Sequence, residues 1–369
     1  MRILYLTEEP ISFSNAMVRG GAIHVRNVVS GLRKRGHDVY LLDWNSEPER
    51  SFQVSVDPRS RFVEGPLRTL IRAIRIGRRH AIDIVISKTR KTYLPGLLTA
   101  RSLGVPHVVH VGSSLDPPVE SLFGRMDLAS FKMRLRAPHD GYFVVCDYIG
   151  SQLQSYGVNG GRIFNVRNAV DVDRFNPEPV PVPLSSRFER RIGESESGFR
   201  LGYVGGLQPY KGLADLAAAL ELTDTDCELI VAGDGPERTH LEQIFGETAT
   251  FLGSVPYEQI PSLYHEFDAF VLPSHTEGLP RVILEAQATA TPVVATRVGG
   301  IPEIVQDDET GLLCDPHRPD QLATAIDRLA TAKRERERLG ENGRTVVEKG
   351  FSWDELYDRY ERSLRQVIR

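Results

Sequence analysis

RLGYVGGLQPYKGLADLAAALELTDTDCELIVAGDGP, residues 200–236, sets two kinds of apolar pattern side by side. Arg200–Val204 is a short, nearly continuous apolar run, the mark of a strand covered on both faces. Gly205-Gly206 ends it. Residues 212–221 are rich in Ala and Leu and long enough for a helix. A second apolar run, Cys227–Ala232, closes on the turn Gly233-Asp234-Gly235-Pro236. Strand, helix and strand in that order form a βαβ unit, which joins parallel strands.

Working outward, the same alternation fills the chain. Toward the C-terminus, runs at Ala269–Leu272 and Pro292–Ala295 alternate with helical segments at 236–245, 280–290 and 319–338. Toward the N-terminus, Ile3–Thr7, Val39–Asp43, Ile82–Ser87, His107–Val111 and Gly141–Val145 read as strands. Ala22–Arg35, Leu67–Arg79 and Leu94–Leu103 read as helices, with Gly36 placed to end the first of these. Residues 177–198 break the pattern with prolines and charges and read as a joint. Ser352-Trp353-Asp354-Glu355 is a capping-box sequence before a last amphipathic helix. The expected class is α/β: two doubly wound, Rossmann-like domains facing one another across a cleft. The expected bounds are 1–178, a linker at 179–198, 199–350, and a C-terminal helix at 351–369 that crosses back to the first domain.

The composition supports a globular chain of two domains: 369 residues, 41% hydrophobic and 25% charged. No apolar stretch approaches the roughly 20 residues that span a bilayer. MRILYLT turns polar too soon for a signal peptide, so the expected location is the cytoplasm. Cys146, Cys227 and Cys314 stand far apart, without CxxC spacing, and read as idle thiols with neither a disulfide framework nor a metal site. The net charge of −4 hides an asymmetry: residues 1–180 carry 25 Lys+Arg against 17 Asp+Glu, or +8, and the remainder 20 against 32, or −12.

Ligands of doubly wound sheets bind beyond the carboxyl ends of the strands, so the residues following each strand carry the functional expectation. Glu277-Gly-Leu-Pro-Arg-Val-Ile-Leu-Glu285 follows the strand Ala269–Leu272. Pro280 suits a first helical turn, which leaves the amides of Gly278 and Leu279 to face an anion such as pyrophosphate. Glu277 and Glu285 flank that position and suit sugar and ribose hydroxyls, although on the spacing alone an exposed loop acid and a solvated helix acid would be the better reading. Gly205-Gly206 lets backbone approach a phosphate, and Lys211 at the helix entrance supplies charge. Asp234 reads as turn chemistry.

In their order, these motifs resemble the retaining glycosyltransferases of family 4, also called glycosyl transferases group 1, which have the GT-B architecture. The matching segments are Tyr203–Gly212, Gly233–Pro236, Phe251–Val255, Pro273–Glu285, Gly299–Glu303 and Gly311-Leu312-Leu313. In the first half they are Gly20-Gly21 with His24, and Asn168–Asp171 with Arg174-Phe175. The resemblance implies transfer of a sugar from a nucleoside diphosphate sugar, with retention and no required metal or other cofactor. It implies that Lys211 binds the pyrophosphate, Glu277 the sugar and Glu285 the ribose. The amides of Gly278 and Leu279 hold phosphate or sugar, the Phe251–Val255 loop with Val255 borders the base, and Gly20-Gly21 approach the phosphates. Catalysis is then stabilisation of a departing diphosphate by positive charge and dipoles.

Two positions depart from the family pattern. Gly206 stands where an arginine is usual, which leaves Lys211, with Arg281 as the nearest other base in sequence. Gly112 stands where a histidine is common, and His110, two residues earlier on the same strand face, is the candidate substitute, with core packing as its alternative. His24, which follows Gly21 on the first helix, either lines the donor cleft or packs that helix. Asp171-Val-Asp173 and Asp224-Thr-Asp226 resemble metal-binding DxD triplets but lack the strand setting and read as turns.

The acceptor side is less explicit. Residues 67–91 hold eight Lys+Arg and one acid. Leu67, Leu70, Ile71 and Ile74 form one helical stripe, with Arg68, Arg72, Arg75 and Arg79 around it. Residues 125–136, with Lys132, Arg134, Phe123, Met126, Leu128 and Phe131, form a second basic run. Such helices either pack on the sheet with a solvated basic face or lie on an anionic membrane. Nucleic acid is not an expected partner. The expectation is therefore a hexosyltransferase that uses a nucleotide-sugar donor and a glycan, lipid-linked or small-molecule acceptor, and that sits in the cytoplasm or peripherally at the inner membrane face. A nucleotide-sugar epimerase of the same fold and a non-catalytic sugar-nucleotide-binding regulator are the alternatives.

Overall fold

A computed structural model describes residues 1–13, 20–45, 48–56, 64–116, 122–178, 182–193 and 198–369. The chain divides into two units, Met1–Arg167 with Asp354–Arg369, and Asn168–Trp353.

The first unit is built on β1 (Arg2–Leu6), β2 (Asp38–Asp43), β3 (Gln53–Ser55), β4 (Ile84–Ser87), β5 (His107–Val111), β6 (Gly141–Val144) and β7 (Ile163–Asn165). They pair in the order β3-β2-β1-β4-β5-β6-β7, and every pairing is parallel. β4 and β5 are buried along their whole length, which is why they read as continuous apolar runs. Helices cover the faces, among them Gly20–Lys34, Glu64–His80 and Tyr93–Leu103. The last helix, Trp353–Ile368, also belongs here: Leu356, Tyr360, Ser363 and Leu364 are buried, and its Tyr357 hydroxyl donates to the Asn27 carbonyl at 3.0 Å.

The second unit carries β8 (Phe199–Val204), β9 (Cys227–Ala232), β10 (Ala249–Gly253), β11 (Ala269–Leu272), β12 (Val293–Thr296) and β13 (Leu312–Cys314). Their order is β10-β9-β8-β11-β12-β13, again all parallel. Each sheet therefore reverses its winding once, between β1 and β4 and between β8 and β11. These reversals are the points at which doubly wound sheets bind ligands.

The structure differs from the sequence expectation in four places. The boundary of the first unit lies at Arg167, earlier than 178, because the next segment is bound into the second unit. There the Val170 amide donates to Phe351 O at 2.9 Å, and Arg344 Nη1 donates to the carbonyls of Val172 (3.1 Å) and Phe175 (2.6 Å). Part of the expected linker is folded as helix Ser186–Ile192, with Phe188 and Ile192 buried. The expected helix at 319–338 is two helices, Pro319–Thr331 and Lys333–Gly350, separated where Ala332 leaves helical geometry at ψ 72°. The break lets the second helix lay Gly340 against the Ala290 carbonyl, where a Cβ would collide. Finally, Phe251 is part of β10 and not of a loop, so only Ser254-Val255 remains at that strand's carboxyl end.

Candidate functional site: the carboxyl ends of the second sheet

β8 and β11 end side by side. Gly205-Gly206 follows β8, and Pro273-Ser274 follows β11. Tight backbone contacts hold the turn after β9 against the turn after β8: Gly233 and Gly235 take up positions where a Cβ would strike the carbonyls of Gly205 and Leu207. Gly233 also has a φ of 147°, open to glycine alone. The Gly235 amide donates to Asp234 Oδ1 at 2.8 Å, so Asp234 serves its own turn.

Across the winding reversal, Lys211 Nζ meets Glu277 Oε1 at 2.6 Å. Ser274 Oγ donates to the same oxygen at 2.9 Å. Both side chains are mostly buried, at 16% and 11% exposure, so the pair is screened less than a surface ion pair. Helix Arg281–Ala288 begins just beyond, with Pro280 as its N-cap in place of the expected first helical residue. Neither the Gly278 nor the Leu279 amide donates to another described residue. Their carbonyls are held, by the Gly300 amide at 2.7 Å and by Asn168 Nδ2 at 2.6 Å. The two amides thus stand at a helix N-terminus, in the same turn as the Lys211–Glu277 pair, and can receive an anion.

Glu285 is not a solvated helix acid: it is 4% exposed. Its oxygens accept from Tyr257 (3.3 Å), Tyr264 (3.5 Å) and Arg281 Nη2 (3.3 Å). Burial raises its carboxyl above the ordinary range, and the Arg281 charge opposes that rise. Arg281 is therefore committed to Glu285 and Tyr257, the latter at 2.9 Å, and does not stand beside Lys211 as a second base. Val255 is buried within the unit. Gly206 is exposed, and a Cβ there would meet nothing closer than Asp234 O at 4.0 Å.

In the first unit, Gly20 and Gly21 open helix Gly20–Lys34. The Gly21 carbonyl accepts from Lys88 Nζ at 2.7 Å, and Lys88 lies 3.8 Å from Glu9 Oε2. Lys88 follows β4 directly and Glu9 follows β1, so an acid–base pair marks this winding reversal as well. Sequence reading had absorbed Lys88 into a basic run; its position after a strand was the available signal. His110 is a core residue of this unit and opens to no solvent. Its Nδ1 faces the hydroxyls of Tyr5 (3.3 Å) and Tyr360 (3.2 Å). Burial holds its pKa well below the ordinary value. His24 packs against it at 5.0 Å between ring centres, and His110 Nε2 has no hydrogen-bond partner among the described residues.

The other readings resolve simply. Asp171 caps a turn, accepting from the Arg174 amide at 3.2 Å. All three cysteines are free and buried, and burial raises the thiols of Cys227 to about 11 and Cys314 to about 12. No helix among the described residues is long and apolar enough to cross a membrane. Helix Glu64–His80 buries Gly65, Thr69, Ala73, Ile76 and Gly77. Of the apolar stripe, Leu70 and Ile74 are half-buried, whereas Leu67 (54% exposed) and Ile71 (51%) face outward among the arginines.

Two family matches cover most of the chain: Glycosyltransferase Family 4 at residues 18–174 and Glycosyl transferases group 1 at residues 185–346. The alpha-maltose-1-phosphate synthase of Mycolicibacterium smegmatis is 28% identical over the full length of both chains. Several other curated sugar transferases align over only about half of their own length. Among solved structures, sucrose-phosphate synthase from Thermosynechococcus elongatus superposes with a TM-score of 0.84 at 20% identity, covering 100% of this chain and 99% of that one. HepE of Anabaena in complex with UDP-glucose gives 0.80 at 19% identity, with 99% of each chain covered. The parallel sheets, the order of the motifs and these matches agree, and the chain belongs to the family 4, group 1 glycosyltransferases and has their GT-B architecture.

Proposed function

We propose that the chain is a hexosyltransferase that moves a sugar, with retention, from a nucleoside diphosphate sugar to a glycan, lipid-linked or small-molecule acceptor. The carrying observation is the mostly buried Lys211–Glu277 pair beside the Gly278 and Leu279 amides. A diphosphate bound at those amides takes Lys211 as its counter-ion, and Glu277 is released to accept from sugar hydroxyls. Lys211 and the amides then stabilise the charge that grows on the departing diphosphate, with no metal in the transfer step. Glu285 serves the ribose by adding to or replacing its contacts with Tyr257 and Tyr264. That a neighbour of the same fold is solved in complex with UDP-glucose supports a donor of that chemical class.

On the acceptor side, the exposed Leu67 and Ile71 among Arg68, Arg72 and Arg75 suit an anionic membrane surface, from which a lipid-linked acceptor is reached. This makes the protein peripheral at the inner face of the membrane. The deciding experiment incubates the chain with UDP-glucose labelled in the sugar, with and without membrane extract. Labelled transfer product, or slow release of glucose with the anomeric configuration retained, agrees with the proposal. An epimerised nucleotide sugar, or binding without turnover across a panel of nucleoside diphosphate sugars, would reject it.

A further inference from the structure

We propose that Asp215, His275 and His317 form a binding site for a divalent transition metal ion on the second unit, separate from the sugar-transfer chemistry. His275 Nε2 lies 2.9 Å from Asp215 Oδ2, and His317 Nδ1 lies 3.5 Å from the same oxygen. One ligand atom from each residue falls within 4.8 Å of the other two. With metal–ligand bonds of about 2.0–2.1 Å, two donors on a tetrahedral ion stand about 3.3 Å apart. Two of the three donor pairs, at 2.9 and 3.5 Å, already stand near that spacing, and the third lies within 4.8 Å, so side-chain rotation alone can close the set on an ion.

The backbone brings the ligands together. Asp215 is in the first turn of helix Leu213–Leu220. His275 follows β11, and its amide donates to Tyr210 O at 2.8 Å. Gly212 lies so close to the Pro273 carbonyl that a Cβ would collide, which locks the segment before Asp215 against the segment before His275. His317 precedes helix Pro319–Thr331 and holds a φ of 59°, a left-handed conformation rarely taken by a residue with a side chain. Such strain is retained where the surroundings over-determine the conformation and is characteristic of ligand clamps. The two imidazoles lie 3.9 Å apart between centres, their planes tilted by 41°. His317 is 66% exposed, which leaves an open side for a solvent ligand.

Two imidazoles and one carboxylate select zinc, nickel or copper over magnesium and calcium, which take oxygen donors. The bound ion ties the strand-end segments that carry Lys211 and Glu277, four residues before Asp215 and two after His275. It thereby braces the turns of the donor site without touching the reacting atoms.

The test uses untagged protein freed of metal by chelator, so that it stands apart from transferase activity. Equilibrium dialysis against zinc is expected to give one ion per chain, undiminished by excess magnesium, with a raised Tm. Cobalt in its place gives the visible absorption of a low-coordinate nitrogen–oxygen site. His317→Ala, His275→Ala and Asp215→Asn each weaken zinc binding at least tenfold. His317 is exposed, so H317A should melt at the parent temperature without metal. Failure to bind zinc, or zinc binding of equal strength in all three variants, would overturn the proposal and leave a hydrogen-bonded cluster only.

Discussion

At the scale of the residue, Lys211 and Glu277 were legible because each follows a strand by a few positions, and the β8–β11 neighbourhood brings them to 2.6 Å. The pairing itself was not legible, since 66 residues separate them, and neither was the burial of Glu285. These facts make the two carboxylates separable by experiment. Glu285→Gln should weaken binding of the nucleoside diphosphate by about tenfold, about 1.4 kcal/mol, with or without the sugar attached. Glutamine is the right replacement, because its amide oxygen still accepts a hydrogen bond from Tyr257 or Arg281 and fills the same space, whereas alanine would take the acceptor away from these buried donors. Glu277→Ala should leave nucleotide affinity equal or higher, since it releases Lys211, while turnover falls about 100-fold or more. Isothermal titration with nucleotide and steady-state rates measure both, and equal losses in the two variants would contradict the division of roles. Lys211→Ala should lower kcat/KM by roughly 10²–10³-fold, as removal of one preorganised stabilising group does elsewhere. Gly206→Arg, at a site with room for a side chain, should tighten donor binding. A Lys211→Ala enzyme with near-parent activity would show that another cation holds the diphosphate.

At the scale of the element, the long apolar runs identified the central strands, whereas β3, β7 and β13, each three residues long, offered too little pattern to be read. The helix Glu64–His80 was visible, but which of its faces is buried was not. Periodicity weights large apolar residues, and here the small Thr69, Ala73 and Gly77 pack closely while Leu67 and Ile71 stay outside. That outward face gives the membrane reading its test. Sedimentation with vesicles containing acidic lipid should capture the chain at low salt, less so at physiological salt, where charge attraction is screened over about 8 Å. Arg72→Ser with Arg75→Ser and Arg79→Ser should remove most of that binding, and Leu67→Ser with Ile71→Ser should weaken what survives at high salt. Capture by neutral vesicles alone, unaffected by these changes, would contradict an anionic surface as the partner.

At the scale of the whole molecule, the α/β class and two-unit organisation followed from βα alternation, but the boundary did not. The Pro-rich stretch drew attention downstream of the true crossing at Arg167, which carries no special composition. The first unit also has an acid sensitivity of its own. His107, His110 and His139 are all held below the ordinary histidine pKa, chiefly by burial. Below about pH 6.5 the unfolded chain therefore binds protons that the folded chain does not. Stability is complete above that pH and falls as the solution is acidified, by up to about 1.4 kcal/mol per pH unit for each titrating histidine. Urea unfolding at pH 7.5, 6.5 and 5.5 should follow that slope, and His110→Gln should flatten it. A pH-independent midpoint in the parent chain would show that these rings are protonated equally in both states.

The return of Trp353–Ile368 to the first unit sets an order of events during synthesis. The second unit, Asn168–Trp353, is continuous in sequence and has its complete set of strands before the last helix has left the ribosome. The first unit begins emerging earlier, yet Tyr360, whose hydroxyl meets His110 in its interior, is among the last of its residues to arrive. The half made first is therefore the half finished last. Until then its core lies open over the face that the helix will cover, which is where a stalled or truncated chain would be recognised by chaperones and proteases.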